Sequence, residues 1–175
     1  MIEVEVKARA REDTKEAILA LGAVPMGTEE HHDLYFNSPQ RDFKETDEAL
    51  RIRIKEDGAR LTYKGPKLDS ETKSRLELTA VIDDPLKMQQ ILESLGFVLS
   101  GTVKKRRTKY RLDDVVFAID EVEGLGSFLE VEARGEDDDW AAQKRRVLSL
   151  LNRLGLGESI RSSYLELLQE RSKCE

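Results

Sequence analysis

The chain has 175 residues, of which 39% are hydrophobic and 37% charged, with a formal net charge of −6. That length suits one medium domain or two small halves sharing a core, and the apolar fraction is enough to build one. The acidic balance excludes a general nucleic-acid binder, the single Cys174 excludes an intrachain disulfide or a cysteine metal site, and no apolar run approaches membrane-spanning length.

Charge begins at Glu3 with no signal-peptide apolar stretch before it, so the expectation is a soluble protein of the reducing cytoplasm. Periodicity predicts about eight strands and four helices. The first strand, 2–9, alternates Ile2, Val4 and Val6 with Glu3, Glu5 and Lys7, so the three charges share one face. Same-face neighbours lie roughly 6.5 Å apart, close enough for two carboxylates to share a divalent cation. A helix over 12–22 carries amphipathic spacing from Thr14 to Ala20 and stops at Gly22. A strand at 31–36 follows, with His31 and His32 read as surface residues at its start. Segment 37–48 is the longest polar insertion between strands. Pro39 and its neighbours make it a loop, of a length used for lids and for mobile surface alike.

Strands at 49–55 and 60–65 meet in a hairpin at Gly58. After a strand at 74–82, Pro85 opens a helix over 85–95 that Gly96 ends. Strands at 103–112, 115–121 and 127–134 come next, the first two joined by a turn at Asp113-Asp114, and helices over 138–154 and 160–171 complete the order. An acidic strand, a helix and Leu-Gly recur together. Glu3-Val4-Glu5 leads to Leu21-Gly22, Leu76-Glu77-Leu78 to Leu95-Gly96, and Glu130-Val131-Glu132 to Leu154-Gly155. The recurrence points to duplicated strand–helix units around a shared sheet.

Placing the strands in phase separates a dry face from a charged one. Leu50, Ile52 and Ile54 alternate with Arg51, Arg53 and Lys55. Leu61 and Tyr63 alternate with Arg60, Thr62 and Lys64, and Leu76, Leu78 and Ala80 with Arg75, Glu77 and Thr79. Val115, Phe117 and Ile119 oppose a face ending in Asp120, while Leu129, Val131 and Ala133 oppose Glu130, Glu132 and Arg134. The strand at 103–112 is ambiguous, because Val103 shares its phase with Lys105 and Arg107 and Tyr110 takes the other. Helices need the apolar face to pack on. The charged face is then either the wet side of an open sheet, the commoner use of such a face, or the lining of a closed barrel. Rows of like charge such as Arg51-x-Arg53-x-Lys55 repel unless an anion lies among them. Acids beside them make sense if they hold a divalent cation that a phosphate also ligates.

Seven segments in order carry a resemblance. Glu3, Glu5 and Lys7 form E-x-E-x-K, Asp33-Leu34-Tyr35-Phe36 forms D-x-Y-F, and Ala49-Leu50-Arg51-Ile52-Arg53 forms A-L-R-x-R. Thr62-Tyr63-Lys64-Gly65-Pro66 forms T-x-K-G-P, Arg75 and Glu77 form R-x-E, and Lys105, Arg107 and Tyr110 form K-x-R-x-x-Y. Asp120 to Glu132 then runs D-x-V-x-x-L-G-x-F-x-E-x-E. With these the chain resembles the CYTH family of class IV adenylyl cyclases and thiamine triphosphatases, the triphosphate tunnel metalloenzymes. The D-x-Y-F, Arg41-Asp42-Phe43 and L-G-x-F segments are most similar to the class IV cyclase branch.

The resemblance implies an α+β fold: a closed eight-stranded antiparallel barrel with helices outside, residues 1–175 forming a single CYTH domain. It implies Mg²⁺ or Mn²⁺ held by Glu3, Glu5 and Glu130, with Glu77, Asp120 and Glu132 as secondary candidates. Lys7, Arg51, Arg53, Lys64, Lys105 and Arg107 are the implied triphosphate ligands, and Glu3, Glu5, Lys7 and Glu130 the implied catalytic set. An interior ion pair is the plain alternative for each, and Thr79, where many relatives carry a second acid, weakens a metal role beside Glu77. Tyr164 in Ser162-Ser163-Tyr164 reads as packing. The implied partner is ATP or another triphosphate, with no nucleic acid and no membrane, and a homodimer stays open. The implied activity is formation of cyclic AMP and pyrophosphate from ATP. The alternatives are hydrolysis of thiamine, inorganic or nucleoside triphosphate, and a non-catalytic polyphosphate or nucleotide-binding module.

Overall fold

Strands that alternate in polarity bury one face, and the structure, a computed structural model describing residues 2–135 and 139–174, shows what becomes of the other. Strands β1 (Ile2–Arg9), β2 (Val24–Asn37), β3 (Ala49–Lys55), β4 (Gly58–Lys64), β5 (Arg75–Ile82), β6 (Val98–Leu112), β7 (Val115–Val122) and β8 (Gly126–Gly135) close into a barrel. Their order around it is β1-β5-β4-β3-β2-β6-β7-β8, with every pairing antiparallel. The register turns the charged face inward. Glu5 lies opposite Glu132 and Lys7 opposite Glu130. Arg53 lies opposite Asp33, Lys64 opposite Glu77, and Arg107 opposite Asp120. Of the two arrangements that polarity alone allows, the chain adopts the closed one.

Helices α1 (Thr14–Ala20), α3 (Pro85–Ser94) and α4 (Trp140–Arg153) cover the outer, apolar face. Val4, Val6, Phe117, Leu129 and Val131 meet Ile18, Val147, Leu150 and Leu151 in one buried layer. Leu34, Phe36 and Ile52 meet Leu92 in a second. Each such fully buried side chain stabilises the fold by about 1.5–3 kcal/mol. Tyr110 belongs to the first layer and Val103 to the interior, which settles the phase of β6. The Asp84 side chain caps α3 by accepting from the Lys87 N–H at 2.8 Å, with Pro85 in the first turn. Gly22 and Gly96 take φ values of +92° and +93° just past α1 and α3, a conformation that glycine alone adopts without strain.

Helix α5 (Tyr164–Ser172) lies across one end of the barrel. Ser163 caps it in a reciprocal box with Glu166. Its Tyr164 packs with Val103, Val122 and Phe128, inward-phase residues that fill that end with apolar side chains.

Several expectations needed revision. β2 begins at Val24 rather than 31, and β6 at Val98 rather than 103. Residues 24–30 are largely exposed and carry Pro25 and Gly27, so they show no dry-face alternation, yet they pair along β6 through a bulge at Pro25/Gly27. Segment 37–48 holds a short helix, α2 (Phe43–Thr46), started by Asp42 accepting from the Lys44 N–H at 3.0 Å. Phe43 is buried near the Phe97 ring, and Arg41 is paired with Glu48, so the segment is pinned down. The last helix starts at Tyr164 rather than 160, and the residue 138 expected to open the preceding helix lies outside the described residues. Among the described residues no helix is long and apolar enough to cross a membrane.

Candidate active site

The closed charged face encloses a cavity of about 850 Å³. Glu3 and Glu5 reach it from β1 and Glu132 from β8, because β1 and β8 pair in a register that puts Glu5 beside Glu132. One ligand oxygen from each of these three lies within 4.8 Å of the others. Such a hard, all-carboxylate set suits Mg²⁺, Mn²⁺ or Ca²⁺. Glu130 stands apart from this trio. Its carboxylate accepts from Arg107 Nη2 and serves an ion pair. Glu77, on β5, pairs with Lys64 at 2.9 Å; burial pushes its carboxyl up, but Lys64, a hydrogen bond with Glu3, and Arg51 hold it down to about 2.

Arg51, Arg53, Lys64, Lys105 and Arg107 line the same cavity. Arg53 forks onto Asp33 through Nε and Nη2, both at 2.7 Å, which leaves its Nη1 edge for another oxygen. Arg107 forks onto Asp120 at 2.7 and 2.5 Å. Arg51 keeps a buried Nε with no hydrogen-bond partner, a donor whose orphaned state suits a bound anion. Burial, reinforced by Arg107 and opposed by Asp120, pushes Lys105 down to about 8.

Lys7 lies elsewhere. It is fully buried, donates to the Ser162 carbonyl, sits over the Tyr164 ring at 4.2 Å, and does not line the open cavity. Burial first, and Lys73 second, lower its pKa well below that of a free lysine. Asp120 is likewise sealed in, accepting from Tyr164 Oη at 2.8 Å. Tyr164 therefore combines packing with a polar role at the cavity floor, where Lys105 also sits over its ring at 4.8 Å.

Sequence reasoning missed His31, Glu29, Lys109 and Lys73, all of which line the cavity. His31 is buried rather than at the surface, its Nε2 2.8 Å from Glu29 Oε2; burial and then Arg53 lower it to about 3, so it is neutral. Glu29 also accepts from Lys55 and Lys109 at 3.1 and 2.7 Å. The alternation of Lys105, Arg107 and Lys109 was available to find Lys109. Lys73, bonded to Glu5 Oε1 at 2.7 Å, shares the phase of Arg75 and Glu77 but precedes the strand expected at 74–82 and lies in an irregular stretch.

The CYTH domain family model matches residues 1–164. The chain belongs to the CYTH family. It is 42% identical over 173 residues, 95% of this chain and 98% of the other, to a Methanocaldococcus jannaschii protein named provisionally as an adenylate cyclase. It is 30% identical over 180 residues, 99% and 88% of the two chains, to adenylate cyclase CyaB of Aeromonas hydrophila. Among solved structures, the PH1819 protein of Pyrococcus horikoshii OT3 superposes with a TM-score of 0.90 at 41% identity, covering 97% of this chain and 99% of that one. CYTH proteins are metal-dependent enzymes acting on triphosphates, and the barrel and acidic trio fit that description.

Proposed function

We propose that this CYTH protein is an adenylyl cyclase that converts ATP to cyclic AMP and pyrophosphate. The observation that carries the reading is an acidic trio and several cationic side chains converging on one closed cavity. The near full-length similarity to proteins named as adenylate cyclases supports the choice of product.

Glu3, Glu5 and Glu132 would hold Mg²⁺ or Mn²⁺, while Glu130 holds Arg107 in the same cavity. That cation would supply charge neutralisation at the phosphate oxygens and lower the pKa of an attacking hydroxyl. The protein side chains do the rest. Arg51, Arg53 and Arg107 grip phosphate oxygens through planar forks, while Lys64 and Lys105 act as point charges. The chain of phosphates is thereby fixed so that the ribose 3′-oxygen lies in line with the α-phosphorus. As that oxygen passes its proton to water and bonds to phosphorus, and the bond from the α-phosphorus to the bridging β-phosphate oxygen breaks, the cationic rows stabilise the negative charge gathering on pyrophosphate. Lys7 and Tyr164 fix the floor against which the phosphates lie.

Hydrolysis of a triphosphate is the second reading, and the lining favours it in one respect. Toward Lys55, Arg60 and Lys109 the cavity wall is charged and open to solvent, and the aromatic rings among its described residues are His31, Tyr35 and Tyr164. A wet wall admits a water that competes with the ribose hydroxyl. Incubation with ATP and Mn²⁺, and separately with tripolyphosphate, separates the readings by product. Cyclic AMP with pyrophosphate is expected. Orthophosphate without cyclic nucleotide replaces the cyclase with a triphosphatase, and tight binding without product leaves a binding module.

A further inference from the structure

Residues 65–74 connect β4 to β5 and run along the seam beside β1. β1 and β5 pair only at Ile2–Leu76 and Glu3–Arg75, and beyond that point the connection takes over. The Lys73 N–H donates to the Glu5 carbonyl at 2.8 Å, so the backbone of the connection continues the ladder. That single bond places the Lys73 side chain inside the barrel, where Nζ donates to Glu5 Oε1 at 2.7 Å.

The connection is tied down from outside. Asp69 accepts from the backbone N–H of Glu71 and Thr72 at 2.7 and 2.8 Å, and Arg161 donates to the Asp69 carbonyl at 2.7 Å. Lys144 of α4 pairs with Asp69 at 3.4 Å and Glu71 at 2.6 Å. Thr72 and Ser74, flanking Lys73, are fully buried. A backbone this well held presents one flexible ammonium to the acidic trio at a fixed point.

Lys64 and Lys73 both reach carboxylates of that trio, and they differ. Lys64 reaches Glu3 at 3.4 Å but lies closer to Glu77, at 2.9 Å, so it keeps a partner when Glu3 turns to another cation. Lys73 is committed to Glu5. A divalent cation on Glu5 would stand a few ångströms from the Lys73 ammonium, and like charges at that range in a partly desolvated cavity repel strongly. The four-carbon stem lets the ammonium swing away while its backbone stays anchored. Glu130, the other carboxylate acting on it, is already paired with Arg107, so a bound phosphate chain is the unclaimed anion it can swing toward.

We propose that Lys73 is a built-in counter-cation of the Glu3–Glu5–Glu132 trio, displaced when a divalent cation binds and taken up by the bound triphosphate. Cation and triphosphate thereby bind cooperatively, and the empty protein holds the metal weakly. The inference rests on the metal–triphosphate reading above and adds an ordering device to it.

The test is calorimetric titration of the full chain with Mn²⁺, first alone and then with tripolyphosphate present. Lys73→Met removes the competing charge at nearly the same volume. It is expected to bind Mn²⁺ alone about five- to tenfold more tightly than the unaltered protein, and to lose most of the gain in tripolyphosphate affinity that Mn²⁺ confers. Lys73→Arg is expected to keep both properties. Damage to the fold weakens metal binding, so tightening is not an effect that a merely structural role produces. If Lys73→Met is too unstable to titrate, Lys73→Gln carries the same expectation. A neutral variant that binds Mn²⁺ no more tightly than the unaltered protein overturns the proposal and leaves the metal–triphosphate reading standing. Failure of the unaltered protein to bind Mn²⁺ at all overturns both.

Discussion

Asp120 is the carboxylate on which the phosphate cradle rests. It has no exposed surface, and its two oxygens accept from Arg107 at 2.7 and 2.5 Å and from Tyr164 at 2.8 Å, with Lys105 at 3.5 Å. Asp120→Asn keeps the volume and removes the charge. Two cations then face an amide that can accept from only one side, and Glu130 alone compensates Arg107. Breaking a buried pair by neutralising one member costs about 3–5 kcal/mol. In a chain of this size each kcal/mol moves Tm by about 2–4 °C, so the variant is expected to melt roughly 6–20 °C lower. A phosphate chain in the cavity replaces the missing negative charge, so tripolyphosphate is expected to raise Tm more in the variant than in the unaltered protein. Scanning calorimetry with and without millimolar tripolyphosphate reads both quantities. A loss of stability that tripolyphosphate does not repair any better than sulfate does would refute the reasoning, because Arg107 and Lys105 would then be structural cations closed to phosphate.

Tripolyphosphate affinity is expected to fall as pH rises through about 8, by about tenfold, the worth of one charge-assisted hydrogen bond, as Lys105 loses its proton. The stability term has the opposite sign. With a folded value below the usual 10.5, Lys105 contributes stability that is present above 10.5 and lost as pH falls through about 8, which a pH series of melts checks. Ser163→Ala removes the cap that accepts from the Glu166 N–H at 3.1 Å and is expected to cost about 0.5–2 kcal/mol in urea unfolding. Phe117→Ala, in the outer layer, is expected to cost about 3–5 kcal/mol while leaving tripolyphosphate affinity unchanged below its melt. Glu5→Gln is expected to abolish turnover with Mn²⁺ while retaining the circular dichroism of the fold, and unchanged turnover removes the carboxylate from the mechanism.

Much of the barrel was legible because its strands carry a strict two-residue period. Arg51 and Arg53, or Glu130 and Glu132, can face only one way once Ile52 and Val131 are buried. Closure was not legible from polarity, since the same alternation suits an open sheet; the family's ordered motifs supplied it. The first part of β2 was invisible because residues such as Thr28 are exposed and select no apolar face, and the start of β6 because Val98, Leu99 and Ser100 are all exposed. The site shows the same division. Strand residues could be placed by phase, but which acid meets which depends on cross-strand register. That register sets Glu132 beside Glu5, and Arg107 claims Glu130. Lys73 shares the phase of Arg75 and Glu77, but the backbone hydrogen bond that carries that phase past the end of β5 onto β1 has no signature in the sequence.

The seam between β1 and β8 has a consequence for how the molecule comes into being. Glu3 and Glu5 belong to the first strand of the described chain, and the strand that pairs with them through eight successive residues is the last. Bringing them together closes the longest loop in the barrel, an entropic penalty that must be met before any contact across the seam rewards it. During synthesis the opening strand therefore waits, with Val4 and Val6 uncovered, until residues 126–135 and the helix α4 that covers them have emerged. No chain that stops short of β8 carries the acidic trio. The protein is expected to fold slowly for its size, and metal and phosphate affinity should appear together with the last cooperative step of refolding.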